Sequence, residues 1–276
     1  MASVNLYYKY DKNLTISKTR QFAFITLAIT KKTEMNIKKH IPNLITLGNL
    51  FCGTIATIYA VSSNFTYAAL FVVLGIILDF FDGFVARLLN VSGELGKQLD
   101  SLADMVTSGV VPGVIIFKLI DLNLYAETAV YNSSLIDVSL FGLLLTLAAC
   151  YRLANFNLDT RQSDSFIGLP TPAMCLFVIS LPLIYENSNI DFVNDLIASN
   201  YFLIFVTCTL SYLMNAEIPL FSLKLKDFSL QKNWFVYLFL IVSLALIIFL
   251  NYISIPIIII LYVLLSIIKN INANKK

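Results

Sequence analysis

Apolar residues run through this chain in long blocks rather than at amphipathic intervals. Eight such blocks cover about residues 43–62, 66–89, 98–120, 135–156, 170–186, 199–215, 234–250 and 252–268. Most are long enough to cross a hydrocarbon layer as helices, which takes about 20 residues. The fifth and sixth are short, so tilted or partly interfacial helices are expected there. Only Asn251 and Tyr252 stand at the break between the last two, which predicts a tight hairpin. Pro256 falls in the first turn of the eighth block, where a proline is tolerated. The pattern predicts an all-α, polytopic bundle of about eight membrane helices.

Polar residues break this pattern at one place. Asp79, Asp82, Arg87, Glu94, Lys97, Asp100 and Asp104 lie between AALFVVLGIIL and VVPGVIIF, neither of which carries a charge. Asp79 and Asp82 are three residues apart, Asp100 and Asp104 four apart, so each pair shares a helix face. The Ser92–Gly93 turn signal between the pairs predicts a helical hairpin, which collects four carboxylates in one place. Acidic groups in a membrane face the bundle interior and mark functional sites. Either some are protonated or cations sit among them. An all-oxygen site suits hard divalent ions such as Mg²⁺, Mn²⁺ or Ca²⁺. Zinc is not expected, since no cysteine is near and the single histidine is His40. Two ions would balance four carboxylates, the usual arrangement for exchanging oxygens at phosphorus. Gly83 and Ala86 leave room beside Asp82 for a phosphate, and Arg87 offers it a guanidinium fork. Gly96 suits either close helix packing or substrate access. Asn49, in the first block, suits either a nucleotide contact or an interhelical hydrogen bond.

Composition and charge fix the setting. The 276 residues are 58% hydrophobic and 13% charged, far from the composition of a soluble domain. Basic residues form no stripe, so no nucleic-acid partner is expected. Cys52, Cys150, Cys175 and Cys208 lie in apolar runs and read as small core residues. Eight Lys and Arg residues precede the first block, and others follow the second, fourth, sixth and eighth. DLNLYAETAVYNSS and ENSNIDFVND have none, and only Lys118 lies toward that side. By the bias of positive charge toward the cytoplasm, both termini and the acidic hairpin are expected on the cytoplasmic face. QFAFITLAIT is too short to span and no cleavage signal follows it. Residues 1–34 are therefore expected to be a flexible tail, or an extension upstream of a start at Met35.

As a pattern the acidic stretch reads D-x2-D-G-x2-A-R-x8-G-x3-D-x3-D, from Asp79 to Asp104. It resembles the signature of the CDP-alcohol phosphatidyltransferases, with no departure. IPNLITLGNLFCG (41–53), YRLANFN (151–157) and FIGLPTPA (166–173) extend the resemblance toward bacterial, membrane-embedded phosphatidylserine synthases, over about 35–250. The resemblance implies a six-helix core, here 35–215; the cytoplasmic loop (216–233) and the C-terminal transmembrane hairpin with its tail (234–276), read from the pattern of apolar and basic residues, are compatible with it. It also implies a homodimer, transfer from CDP-diacylglycerol to L-serine, and an Mg²⁺ or Mn²⁺ requirement. Asp79, Asp82, Asp100 and Asp104 would be metal ligands, Asp104 would also be general base, and Gly83, Ala86 and Arg87 would shape the nucleotide diphosphate site. A bacterial inner membrane, with the site facing the cytoplasm, and a phosphatidylserine decarboxylase downstream would complete the setting.

The acceptor is less legible in the residues themselves. Arg152 is expected either to bind the serine carboxylate bidentately or to snorkel as a positive anchor; Asn155 would add a polar contact. With no obvious covalent nucleophile, although Ser101 and Ser108 are near, single displacement is expected. Glycerol 3-phosphate or inositol as acceptor is the alternative within this chemistry. A divalent-cation transporter or a scaffold protein is the alternative outside it.

Overall fold

The computed structural model describes residues 38–91, 93–128, 136–159, 166–220 and 230–273. The N-terminal tail, Met35, the turn residue Ser92, Arg161, Lys224 and Lys226 lie outside these residues. The described chain is a helical bundle. Helix α1 covers Lys38–Val61 and α2 covers Phe65–Leu89. Helix α3 (Glu94–Asp104) runs through a π-helical segment, Met105–Val110, into α4 (Val111–Thr128). A short α5 (Ile136–Ser139) and a 3₁₀ turn lead into α6 (Leu144–Leu158). Then come α7 (Thr171–Asn187), α8 (Asp191–Ala198) and α9 (Asn200–Asn215), and finally α10 (Leu230–Leu250) and α11 (Ser254–Ala273).

Five stretches are long and apolar enough to cross a membrane, or six if α8 and α9, bent by 75°, form one span. This marks an integral membrane protein. One of the five is Trp234–Ile271, which holds both α10 and α11. That stretch doubles back: Asn251 adopts φ 47°, and Phe239 packs on Tyr262 with ring centroids 5.7 Å apart. The hairpin expected at Asn251–Tyr252 is thus present. Helix α10 begins at Leu230, inside the segment read as loop.

The short fifth block is enclosed by the bundle. Helix α7 is buried along most of its length, with Met174, Cys175 and Val178 fully covered. Around it pack Ile115, Ile116 and Ile120 of α4, Leu145 of α6 and Leu203 of α9. The sixth block is α9 alone; α8, bent by 75° from it, occupies the segment between the fifth and sixth blocks. Leu44, Phe51 and Ile58 of α1 are exposed at helical spacing, as suits a face turned to lipid. Lys118, the lone cation expected toward the far side, is paired with Asp121 at 2.9 Å.

Small residues let the helices approach closely where the acidic hairpin is anchored. A Cβ added at Gly75 of α2 would come within 2.8 Å of both Asn49 Oδ1 and Thr107 Cγ2. At Gly53 of α1 it would lie 2.9 Å from the Thr107 backbone. Thr107 sits in the π-helical segment. Pro112, just beyond it, has no N–H to give the carbonyl four residues back, so the α-helical ladder cannot continue unbroken through this segment. At the C-terminal side, β1 (Phe166–Ile167) pairs antiparallel with β2 (Pro219–Leu220). Gly168 follows β1 at φ +72°, against the carbonyls of Met214 and Ala216, a position only glycine fills without strain. Asn270 of α11 donates to Pro219 O, tying the C-terminal hairpin to this pair.

Gly75→Ala is expected to lower stability by about 1–3 kcal/mol through overpacking, seen as a lower melting temperature of the detergent-solubilised protein. An unchanged melting temperature would contradict the close crossing.

Candidate active site

The α2–α3 connection brings the carboxylates together. Asn90 ends α2 in the left-handed conformation (φ 53°, ψ 44°), which asparagine tolerates. Extended Gly93 then starts α3. Asp82 lies seven residues before Leu89, and Asp100 six after Glu94. At 1.5 Å per residue both are about 10 Å from their helix ends, and Asp79 and Asp104 about 15 Å. The antiparallel pair therefore sets Asp82 level with Asp100, and Asp79 level with Asp104.

Asp79, Asp82 and Asp100 each place one carboxylate oxygen within 4.8 Å of the others. Asp82 is buried and the other two half-buried. Among the described residues no lysine or arginine forms an ion pair with any of the four aspartates. Three converging carboxylates without a cationic partner are the donor set of a hard divalent ion, so these residues fit a metal. Asp82 also accepts a hydrogen bond from the Thr46 hydroxyl, which lies 3.1 Å from Pro42 O as well.

Asp104 stands outside the trio and is held by α1. Asn49 Nδ2 donates to Asp104 Oδ1 at 3.3 Å. Asn49 Oδ1 accepts from the Thr107 hydroxyl at 2.8 Å, which sets the amide end that faces Asp104. Asn49 has 0% exposure and does not line the neighbouring cavity, so the geometry favours the interhelical of its two expected readings. Ser101 accepts from Asn157 Nδ2 at 2.8 Å, and buried Ser108 has no hydrogen-bond partner among the described residues.

A cavity of about 640 Å³ opens beside the trio. Gly83, Ala86, Arg87 and Gly96 all line it, together with Asp82 and Asp100. Arg87 Nε donates to Gly83 O at 3.0 Å, holding the guanidinium beside Gly83. A Cβ on Gly96 would lie 3.4 Å from Asn43 Oδ1, in ordinary contact, so Gly96 is not forced by packing. Lys39, His40, Asn43, Thr46, Glu94 and Lys97 are its other polar or charged lining residues. Sequence reasoning missed Thr46 and Thr107. The available signal was spacing: Thr46 is three residues before Asn49, and Thr107 three after Asp104, each on one helix face.

Arg152 and Asn155 line a second cavity, of about 350 Å³, at the end of α6. Arg152 keeps only 8% exposure, and its Nε has no hydrogen-bond partner among the described residues. Its guanidinium carbon lies 6.0 Å from the Phe156 ring centre, and its charge is within reach of Asp104. A snorkelling anchor would extend to water, which this side chain does not do. Lys97 Nζ donates to Asn157 O at 2.8 Å, tying α3 to α6 between the two cavities.

Comparison with known proteins follows the same residues. A family model described as CDP-alcohol phosphatidyltransferase matches residues 39–213. The CDP-diacylglycerol–serine O-phosphatidyltransferase of Bacillus subtilis is 35% identical over 181 residues, covering 65% of this chain and 88% of that protein. The protein of the same name from Helicobacter pylori is 39% identical over 140 residues, covering 50% of this chain and 55% of that one. The chain thus matches about half the length of the Helicobacter relative. The archaetidylserine synthase of Methanothermobacter thermautotrophicus is 28% identical over 146 residues, 52% of this chain and 58% of that protein.

Thr107→Val keeps the shape but leaves buried Asn49 Oδ1 without its donor. A loss of about 1–3 kcal/mol is expected, measured by thermal unfolding in detergent. A neutral result would remove Thr107 from the support of Asp104.

Proposed function

The chain belongs to the CDP-alcohol phosphatidyltransferase family, and we propose that it transfers the phosphatidyl group of CDP-diacylglycerol to the hydroxyl of L-serine, releasing CMP. The observation that carries this is the meeting of Asp79, Asp82 and Asp100 beside Asp104, with Asp82 and Asp100 lining a cavity. The names of the relatives support serine as acceptor. They favour neither glycerol 3-phosphate, nor inositol, nor a divalent-cation transporter.

The cavity lined by Gly83, Ala86, Arg87 and Gly96 would take the CDP diphosphate. Gly83 and Ala86 let it approach the carboxylates, and Arg87 meets a phosphate oxygen. Asp79, Asp82 and Asp100, with Asp104 beside them, would hold Mg²⁺ or Mn²⁺, in two ions. Such ions neutralise the diphosphate and the charge on departing CMP. Asn49 we assign to orienting Asp104 rather than to the nucleotide: its single amide donation leaves the other Asp104 oxygen open to a proton. The serine hydroxyl would attack the lipid-side phosphorus as its proton passes to Asp104. The bond from that phosphorus to the bridging oxygen would break, and CMP would leave with the oxygen. The reaction is single displacement, with no covalent enzyme intermediate.

The wider setting is part of the same reading. Eight spans, with both termini and the site on the cytoplasmic side of a bacterial inner membrane, fit the placement of the lysines and arginines. A homodimer and a decarboxylase that consumes phosphatidylserine complete it.

With CDP-diacylglycerol and Mg²⁺ or Mn²⁺, the purified protein is expected to release CMP with serine and not with glycerol 3-phosphate or inositol. Asp104→Asn should slow release about 10²- to 10⁴-fold, the usual worth of a general base. Release with another acceptor would overturn the substrate, and release with none would overturn the chemistry. A burst of CMP without serine would contradict single displacement.

A further inference from the structure

The second cavity carries more than Arg152. Five of its residues are polar or charged: Arg152, Asn155, Asp159, Asn215 and Glu217. The cation lies deep, with 8% exposure and an Nε that has no hydrogen-bond partner among the described residues. Glu217 is exposed at the rim. The cavity thus sorts charge by depth, with a guanidinium below and a carboxylate above. That is the complement of a small zwitterion, whose carboxylate would meet the guanidinium and whose ammonium would meet the rim.

The backbone holds the rim in place. Gly168 N donates to Ile218 O, and Leu169 N to Leu213 O, both at 2.9 Å. These bonds pin the segment carrying Asn215 and Glu217 beside the end of α6. Asn215 Nδ2 donates to Ala148 O at 3.1 Å and to Ser211 O at 3.2 Å. Its two N–H groups are thereby used, and its oxygen is left as an acceptor. A second acceptor beside Glu217 suits an ammonium and does nothing for a phosphate.

We infer that Glu217, with the side-chain oxygen of Asn215, binds the ammonium group of the acceptor amino acid while Arg152 binds its carboxylate, making Glu217 a specificity-determining residue. This rests on the reading of serine as acceptor.

The test is steady-state CMP release by the full-length protein in detergent, with Glu217→Gln beside the wild type. Loss of a hydrogen bond to a charged group should raise the KM for serine about 10- to 100-fold, with the KM for CDP-diacylglycerol unchanged. Glu217→Asp should raise it less. 3-Hydroxypropionate, which is serine without its ammonium, should inhibit the wild type and Glu217→Gln equally. An unchanged KM for serine in a wild type that uses serine would overturn the pocket alone. Equal weakening of serine and 3-hydroxypropionate would also overturn it, since that is the mark of general damage. A wild type that accepts only glycerol 3-phosphate or inositol would overturn the acceptor reading and the pocket together.

Discussion

Repulsion among carboxylates is the constraint on which this structure turns. Two unit charges 4.8 Å apart repel by on the order of 3 kcal/mol at an effective dielectric of about 20, and less where water screens them. Three aspartates meet within that separation, with a fourth one turn away, and no lysine or arginine forms an ion pair with any of them among the described residues. A bundle that brings them together must draw the energy from packing elsewhere. It does so at the crossing of Gly53, Gly75 and Thr107, where α1, α2 and the π-helical segment touch backbone to side chain. The contacts that hold the acidic residues in place are the same ones that orient Asn49 toward Asp104.

The site then divides its work between two flanks. On the α1–α3 flank, small residues, basic groups and Asp82, Glu94 and Asp100 surround the larger cavity, the one proposed for the nucleotide diphosphate. On the α6 flank, a buried arginine and a pinned rim surround a smaller cavity. Asp104 lies between them, within electrostatic reach of Arg152 and bonded to α1. That is the position needed by a group which takes a proton from one substrate while the other is held. Lys97 and Asn157 bridge the flanks at the surface, so the spacing of the two cavities is fixed by direct bonds.

Much of this was legible in the sequence, because the hydrophobic blocks and the acidic motif are both local patterns. Helical spacing alone places Asp79 beside Asp82 and Asp100 beside Asp104, and one turn signal brings the pairs together. The hairpin at Asn251 was legible for the same reason. What was not legible depends on contacts between distant segments. Asn49 reads equally well as a ligand contact or a helix contact until Thr107, 58 residues later, takes its oxygen. The short fifth block reads as tilted or partly interfacial, and nothing in it shows that α4, α6 and α9 enclose it. Glu217 carries no motif at all; it matters only because the Gly168 turn fixes its segment against α6, and a positive φ at one glycine is invisible in an alternation of apolar residues.

The central claim is that the converging aspartates of α2 and α3 form a divalent-metal site. Anomalous diffraction from crystals grown with Mn²⁺, recorded at the manganese absorption edge, tests it most directly. The account predicts strong anomalous density between the carboxylates of Asp79, Asp82 and Asp100, lost in Asp82→Asn. Density elsewhere, or none in well-ordered crystals containing Mn²⁺, would contradict it.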